Sequence, residues 1–172
     1  MTIRITPVCT GNICRSAMAE VVLSQIAEDK GYLEKYDFDF SSRGVSDEEE
    51  GNPLDFRART VLRNHNYTNR LSQSIIRNHQ AHQITRNEVE NADLLLAMTK
   101  NHAKSLIRRF DADPNKVIIW RWFEKMEEDK ELDSLDLADP WYGGPSDFEK
   151  ALSQIERSAS KVIEYSIKRF AS

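Results

Sequence analysis

The 172-residue chain contains only two cysteines, Cys9 and Cys14. That scarcity excludes a disulfide framework and points to a reducing compartment. The spacing of the pair is also wrong for a structural zinc site. No apolar run is long enough to span a bilayer, and Met1-Thr2-Ile3-Arg4-Ile5 lacks the apolar core of a signal peptide. The cytoplasm is therefore the expected location, with export lacking a signal as the alternative. Basic charge is not in excess either; the formal net charge of -4 argues against general nucleic-acid binding. Internal repeats and low-complexity linkers are absent, and the length suits one domain covering residues 1–172.

The apolar pattern that is present alternates between strand and helix. Ile3 to Val8 reads as a buried strand, with Pro7 calling for an end or edge position. Ala17 to Lys30 places Ala19, Val22, Leu23, Ile26 and Ala27 on one helical face, and Gly31 is a stop. Asp37 to Ser42 alternates like a strand near a sheet edge. Arg43 to Leu54 reads as a loop centred on the acidic run Ser46 to Gly51. A helix capped by Asp55 follows, with Ala58, Val61 and Leu62 inward. Arginines dominate from Arg57 to Arg86 and make that side basic.

Further on, His79 to Thr85 leads to a turn or short helix around Glu88 to Ala92. Leu94 to Met98 is a central strand, Asn101 to Phe110 a helix, and Val117 to Trp120 the last strand. Glu124 to Asp136 is open between helix and loop. Pro145 to Phe170 is a long amphipathic helix with Phe148, Leu152, Ile155, Ala159, Val162, Ile163 and Ile167 on one face. The alternation predicts an α/β fold, a three-layer sandwich with a parallel sheet and helices on both faces.

The chemistry concentrates in Cys9-Thr10-Gly11-Asn12-Ile13-Cys14-Arg15-Ser16, placed after the first strand and before the first helix. Open parallel sheets bind ligands there, at the carboxyl ends of strands. Loop amides and a helix N-terminus suit an anion, and an arginine fork can grip two phosphate oxygens. The same field favours a thiolate at Cys9. Cys9 as a small buried hydrophobe is the blander reading. A nucleotide-binding loop would need Gly-Lys-Ser/Thr at the helix start, and no lysine occurs here. Gly11 and Asn12 stand where the backbone must turn sharply.

This loop, with Val8 before it and Ala19-Glu20 after, resembles the signature of the low-molecular-weight protein tyrosine phosphatases. Ser42 and Gly44, Gly51-Asn52-Pro53 with Asp55 and Arg57-Ala58, His79, Asp93 to Met98, and Asp139-Pro140-Trp141-Tyr142 match further landmarks in order. Two departures are Ala17, where the family usually has proline, and Glu48, where relatives carry an aromatic residue.

The resemblance implies a four-stranded sheet in the order 2-1-3-4 and hydrolysis of phosphotyrosine proteins or aryl phosphates. Cys9 would be the nucleophile, Arg15 the phosphate clamp and Asp139 the general acid and base. Thr10, Gly11, Asn12, Ile13, Cys14 and Arg15 would bind phosphate, with Ser16, Ser42, His79 and Cys14 in support. Ser16 is placed either as a helix cap or as a hydrogen-bond partner of Cys9. Ile13, Glu48, Trp141 and Tyr142 would line the substrate slot. Relatives acting on phosphoarginine carry a smaller threonine at the place of Ile13, so its bulk favours a phenyl ring. Inorganic phosphate and other oxyanions are the expected inhibitors; no cofactor, metal, nucleic acid or membrane is expected. Cys9 and Cys14 are close enough in the chain for peroxide to join them in a disulfide. The alternatives are thiol-coupled arsenate reduction, which lacks relay cysteines after Cys14, and a phosphate-binding module without turnover.

Overall fold

A computed structural model describes residues 1–128 and 134–171. The first strand, β1 (Thr2–Cys9), runs into helix α1 (Arg15–Asp29), which ends just before Gly31. Strands β2 (Asp37–Phe40) and β3 (Arg43–Gly44) follow, and then helices α2 (Phe56–Asn64), α3 (Arg70–Asn78) and α4 (Arg86–Asn91). The chain continues through β4 (Leu94–Ala97), α5 (Lys100–Arg109), β5 (Val117–Ile119), α6 (Trp122–Glu128) and the long α7 (Pro145–Phe170). The start of the segment left open at Glu124 to Asp136 is thus helical, and residues 129–133 lie outside the described residues.

All pairings are parallel, in the order β2-β1-β4-β5, with β3 also on β1. The sheet therefore has five strands where four were expected, and Arg43 and Gly44 belong to it, not to a loop. The register explains the extra strand. Ile5 stands opposite Phe40 and Val8 opposite Arg43, the same offset of 35 residues on either side of the break. β2 and β3 are one line of chain interrupted at Ser41 and Ser42, opposite Thr6 and Pro7. The neighbours Ile5 and Cys9 offer their carbonyls toward this side, to Ser41 N–H and Val45 N–H. Pro7 points the same way and has no N–H to give. Pro7 is accordingly inside a central strand, not at an end or an edge. Its missing donor coincides with the lapse of its neighbour.

Alternation along β4 splits the core between two faces. Leu94, Leu96 and Met98 pack with Ile3, Ile5, α1, α2 and the apolar stripe of α7. Leu95 and Ala97 turn the other way, toward Val89 of α4 and Leu106 of α5. That makes the three layers. Along α7, Phe148, Leu152, Ile155, Ala159, Val162 and Ile163 are fully buried, and Ile167 packs at the margin. Burying a large apolar side chain contributes about 1.5–3 kcal/mol, so this stripe fixes α7 against α1 and α2. α3 was not expected from the sequence. Its polar stretch is capped by Asn69, which accepts from Ser72 N–H, and only Ile75 and Ile76 reach the core.

Candidate active site

The loop after β1 ends in a helix whose first turn is left open. Helices α2, α3, α4 and α5 each begin with a side chain accepting a backbone N–H, from Asp55, Asn69, Thr85 and Thr99. No side chain caps α1. Its first N–H groups remain available, which is the requirement for holding an anion at a helix N-terminus. The helix also begins at Arg15, two residues earlier than the apolar pattern indicates. Ser16 therefore lies inside the first turn and is not the cap.

The hydroxyl of Ser16 lies 2.9 Å from the Cys9 sulfur, and a chain of hydrogen bonds sets its direction. The backbone N–H of His82 donates to Asn12 Oδ1 at 3.0 Å, which fixes the amide orientation. Asn12 Nδ2 then donates to both Ser16 Oγ and Ser42 Oγ, each at 2.9 Å. With its oxygen accepting from Asn12, Ser16 has its own proton left for Cys9 Sγ. The sulfur thus has a directed O–H donor. Asn12 itself sits in the left-handed region at φ 62°. Its carbonyl accepts from His79 Nε2 at 2.6 Å. Burial, opposed only partly by that bond, holds His79 below the usual histidine range, so a neutral ring donates there.

The chain bends at both Gly11 and Asn12, but only Asn12 takes the left-handed conformation. Gly11 matters for space: a Cβ there would stand 3.0 Å from Glu49 Cγ. Gly44 is more tightly placed, since a Cβ would come within 2.6 Å of the Thr10 carbonyl oxygen. β3 presses bare backbone against the loop.

Arg15 is buried and turned across the loop. It donates to the Leu137 carbonyl at 2.9 Å, and its Nη2 lies 3.5 Å from Asp139 Oδ2. Cys9, Thr10, Gly11, Ile13, Cys14 and Arg15 form the base of a cavity of about 160 Å³. Its walls differ in chemistry: Glu48 and Glu49 on one side, Asp139, Trp141 and Tyr142 on another. Trp141 and Tyr142 meet edge to face at 4.8 Å and stay largely exposed. Glu50, the third acid of the run, turns away and accepts from His82 Nδ1 and Gln83 N–H, each at 2.8 Å. Cys9 and Cys14 are both free and buried. Burial pushes the Cys14 thiol far up, aided by the charges of Asp55, Cys9 and Asp139, so it stays protonated.

Several contributors were given no role by the sequence, although Glu20 and Arg57 stand among the landmarks of the resemblance. Glu20 is half-buried and accepts from Ser42 N–H at 2.6 Å, and desolvation of its carboxyl raises its pKa against that bond. His102, at the start of α5, reaches Thr10 Oγ1 with Nε2 at 2.8 Å, while its buried Nδ1 has no partner among the described residues. Burial and the nearby Arg15 charge lower its pKa to about 4, leaving it neutral. Arg57 is held by Asp55 and donates to the carbonyls of Trp141 and Gly143, both at 3.0 Å. It therefore ties α2 to the segment that carries Asp139. A lone Glu, His or Arg at helical spacing carries no mark of such a duty; each depends on contacts between distant parts of the chain.

The chain is similar to known proteins in both sequence and fold. Residues 4–170 match the family model described as low molecular weight phosphotyrosine protein phosphatase. Low molecular weight protein-tyrosine phosphatase A of Mycobacterium tuberculosis is 33% identical over 169 residues, covering 98% of this chain and 94% of that protein. Among solved structures, the low molecular weight protein tyrosine phosphatase from T. tengcongensis superposes with a TM-score of 0.77 at 27% identity, covering 95% and 99% of the two chains. The YwlE arginine phosphatase gives 0.74 at 25% identity, covering 98% of each. With a family match over nearly its whole length, this chain belongs to the low molecular weight phosphotyrosine protein phosphatase family.

Proposed function

We propose that the protein hydrolyses phosphotyrosine through a phosphocysteine formed on Cys9. The observation that carries this reading is the hydrogen-bond chain from His82 through Asn12 to Ser16, which delivers a proton toward the Cys9 sulfur. A pure phosphate binder has no use for a sulfur primed in that way.

In the first step the thiolate attacks phosphorus in line, and the bond to the phenolic oxygen breaks. Arg15 and the loop amides hold the three equatorial oxygens as charge spreads over them. Asp139, in its acid form, gives its proton to the departing phenolate. In the second step its carboxylate takes a proton from water, which attacks the phosphocysteine and releases inorganic phosphate and the thiolate. Arg15 serves both steps, and its contact with Asp139 holds acid and clamp together across the cavity.

Trp141 and Tyr142 provide an aromatic side for the substrate ring, and Ile13 narrows the base of the slot. Glu48 and Glu49 provide an acidic side, which favours a basic residue immediately beside the phosphotyrosine. Phosphate and other oxyanions compete for the same amides. The test is hydrolysis of p-nitrophenyl phosphate and a phosphotyrosine peptide in chelator, with phosphoarginine as the contrasting substrate. Turnover of both aryl phosphates with trapping of the phosphoryl group on Cys9 is expected. Phosphoarginine as the better substrate, or no labelled Cys9, defeats the proposal.

A further inference from the structure

From Phe56 to Arg86 the chain carries six arginines and no aspartate or glutamate, in a protein whose acidic residues outnumber lysine and arginine 28 to 24. The fold turns part of that composition into a surface feature. Arg59 and Arg63 stand four residues apart on α2, and Gln73 and Arg77 four apart on α3. Together with Ile76 they surround a concavity of about 230 Å³. Arg57 on the same helix is held by Asp55. The guanidinium groups of Arg59, Arg63 and Arg77 make no hydrogen bond or ion pair among the described residues. Like charges gathered without a counter-charge repel one another, and an arriving anion relieves this. Guanidinium forks match carboxylates and phosphates in geometry.

We propose that this groove docks an acidic segment of the phosphorylated protein substrate. The reading rests on the phosphatase function above for its partner, though the groove's charge does not depend on it. Position and shape favour a peptide. Phe56, Arg59 and Arg63 fall on one helical stripe, and Phe56 is 68% exposed at its head. Asp55, the residue before it, donates its N–H to the Ile13 carbonyl, so the stripe starts at the rim of the phosphate loop. At about 1.5 Å of rise per helical residue, Arg59 and Arg63 lie roughly 5–12 Å along the stripe. An extended peptide spans about 3.3 Å per residue. Adding the reach of the tyrosine side chain, acidic residues about three to six positions from the phosphotyrosine would meet the groove. Acids closer than that meet Glu48 and Glu49 and are repelled. A narrow groove with one partly buried isoleucine suits side chains better than a flat lipid surface or a nucleic-acid backbone.

The test compares the wild type with an Arg59→Glu, Arg63→Glu, Arg77→Glu triple variant. A fluorescent hexaglutamate peptide carrying no phosphate should bind the wild type, more weakly in salt, and lose about tenfold or more in affinity with the variant. A phosphotyrosine peptide with glutamates at the distant positions should exceed its serine-substituted twin in kcat/KM by roughly five- to thirtyfold, an advantage absent from the variant. Kinetics on p-nitrophenyl phosphate should be unchanged. Failure of the phosphatase reading would show as no turnover of any substrate, and the binding arm would still decide the groove. Equal peptide affinity in both proteins, or none in either, overturns the proposal. So does binding to anionic lipid vesicles or RNA that depends on the three arginines while hexaglutamate does not compete.

Discussion

The two ends of the cavity are built on opposite principles. At the base, Cys9, Asn12, Arg15 and Ser16 are all buried, and their hydrogen bonds come from α1, the break between β2 and β3, the stretch from His79 to His82, and Leu137. At the mouth, the Asp139 side chain is 38% exposed, and Tyr142 is exposed almost entirely. Asp139 is oriented by little beyond Arg15 and its own turn, in which Trp141 N–H donates to Oδ1 at 3.1 Å. The contrast teaches what each step demands. Phosphate is small and the same in every substrate, so its cradle can be fixed in advance. The leaving group is large and attached to a protein, so its acid must stand where a bulky partner can reach.

Substitutions can test that division, beginning at the base, where the largest losses are expected. Cys9→Ser should abolish turnover yet still bind vanadate or phosphate, measured by calorimetry. Arg15→Lys should lose on the order of 10³ in kcat/KM, since an ammonium cannot reproduce two directed donors. At the mouth, Asp139→Asn should lose about two to four decades with poor leaving groups and much less with p-nitrophenol. Equal losses on both substrates would show that Asp139 does not act on the leaving group. Ser16→Ala removes the donor that the thiolate receives, at about ten- to hundredfold in kcat/KM. Wild-type activity in Ser16→Ala would show that this donor does not serve the nucleophile.

Smaller effects sharpen the comparison further out. Glu48→Trp adds an aromatic to the cavity that Trp141 also lines and should raise kcat/KM on a neutral phosphotyrosine peptide roughly two- to twelvefold, the scale of one stacking contact. It should also reduce the preference for basic flanks. The smallest effect lies far from the cavity, where His65 bonds to Glu149 and, at 2.8 Å, to Glu156 on α7. Burial works against its charge, but the two carboxylates outweigh burial and raise its pKa. A raised folded-state pKa gives stability that is complete below the unfolded value of about 6.5 and lost as pH rises through the folded one. The melting advantage of wild type over His65→Gln should therefore shrink between neutral and alkaline pH, and a constant difference would refute it.

Much of this was legible in the chain. Apolar runs of strand length gave β1 and β4, which are largely covered on both faces, and helical patterns gave α2, α5 and α7, all to within a few residues. The strand-loop-helix context isolated the residues from Cys9 to Ser16. α3 escaped because its polar sequence is held by a cap and two isoleucines, and β3 escaped because two residues carry no period. The direction of the Ser16 proton was beyond sequence reasoning altogether. It depends on His82 N–H, a backbone group 70 positions from Asn12.

A designer wishing to move this loop onto another scaffold would face the consequence of Pro7. The eight residues from Cys9 to Ser16 are not the transferable part. Opposite Pro7 the neighbouring chain leaves the sheet, and there Ser42 donates its N–H to Glu20 while its hydroxyl oxygen accepts from Asn12. A scaffold with an unbroken strand in that place would draw Ser42 into pairing and strip Asn12 of one of its two acceptors. The portable unit is a discontinuous one: the loop, the proline before it, the gap beside it, and the glutamate that occupies the freed backbone.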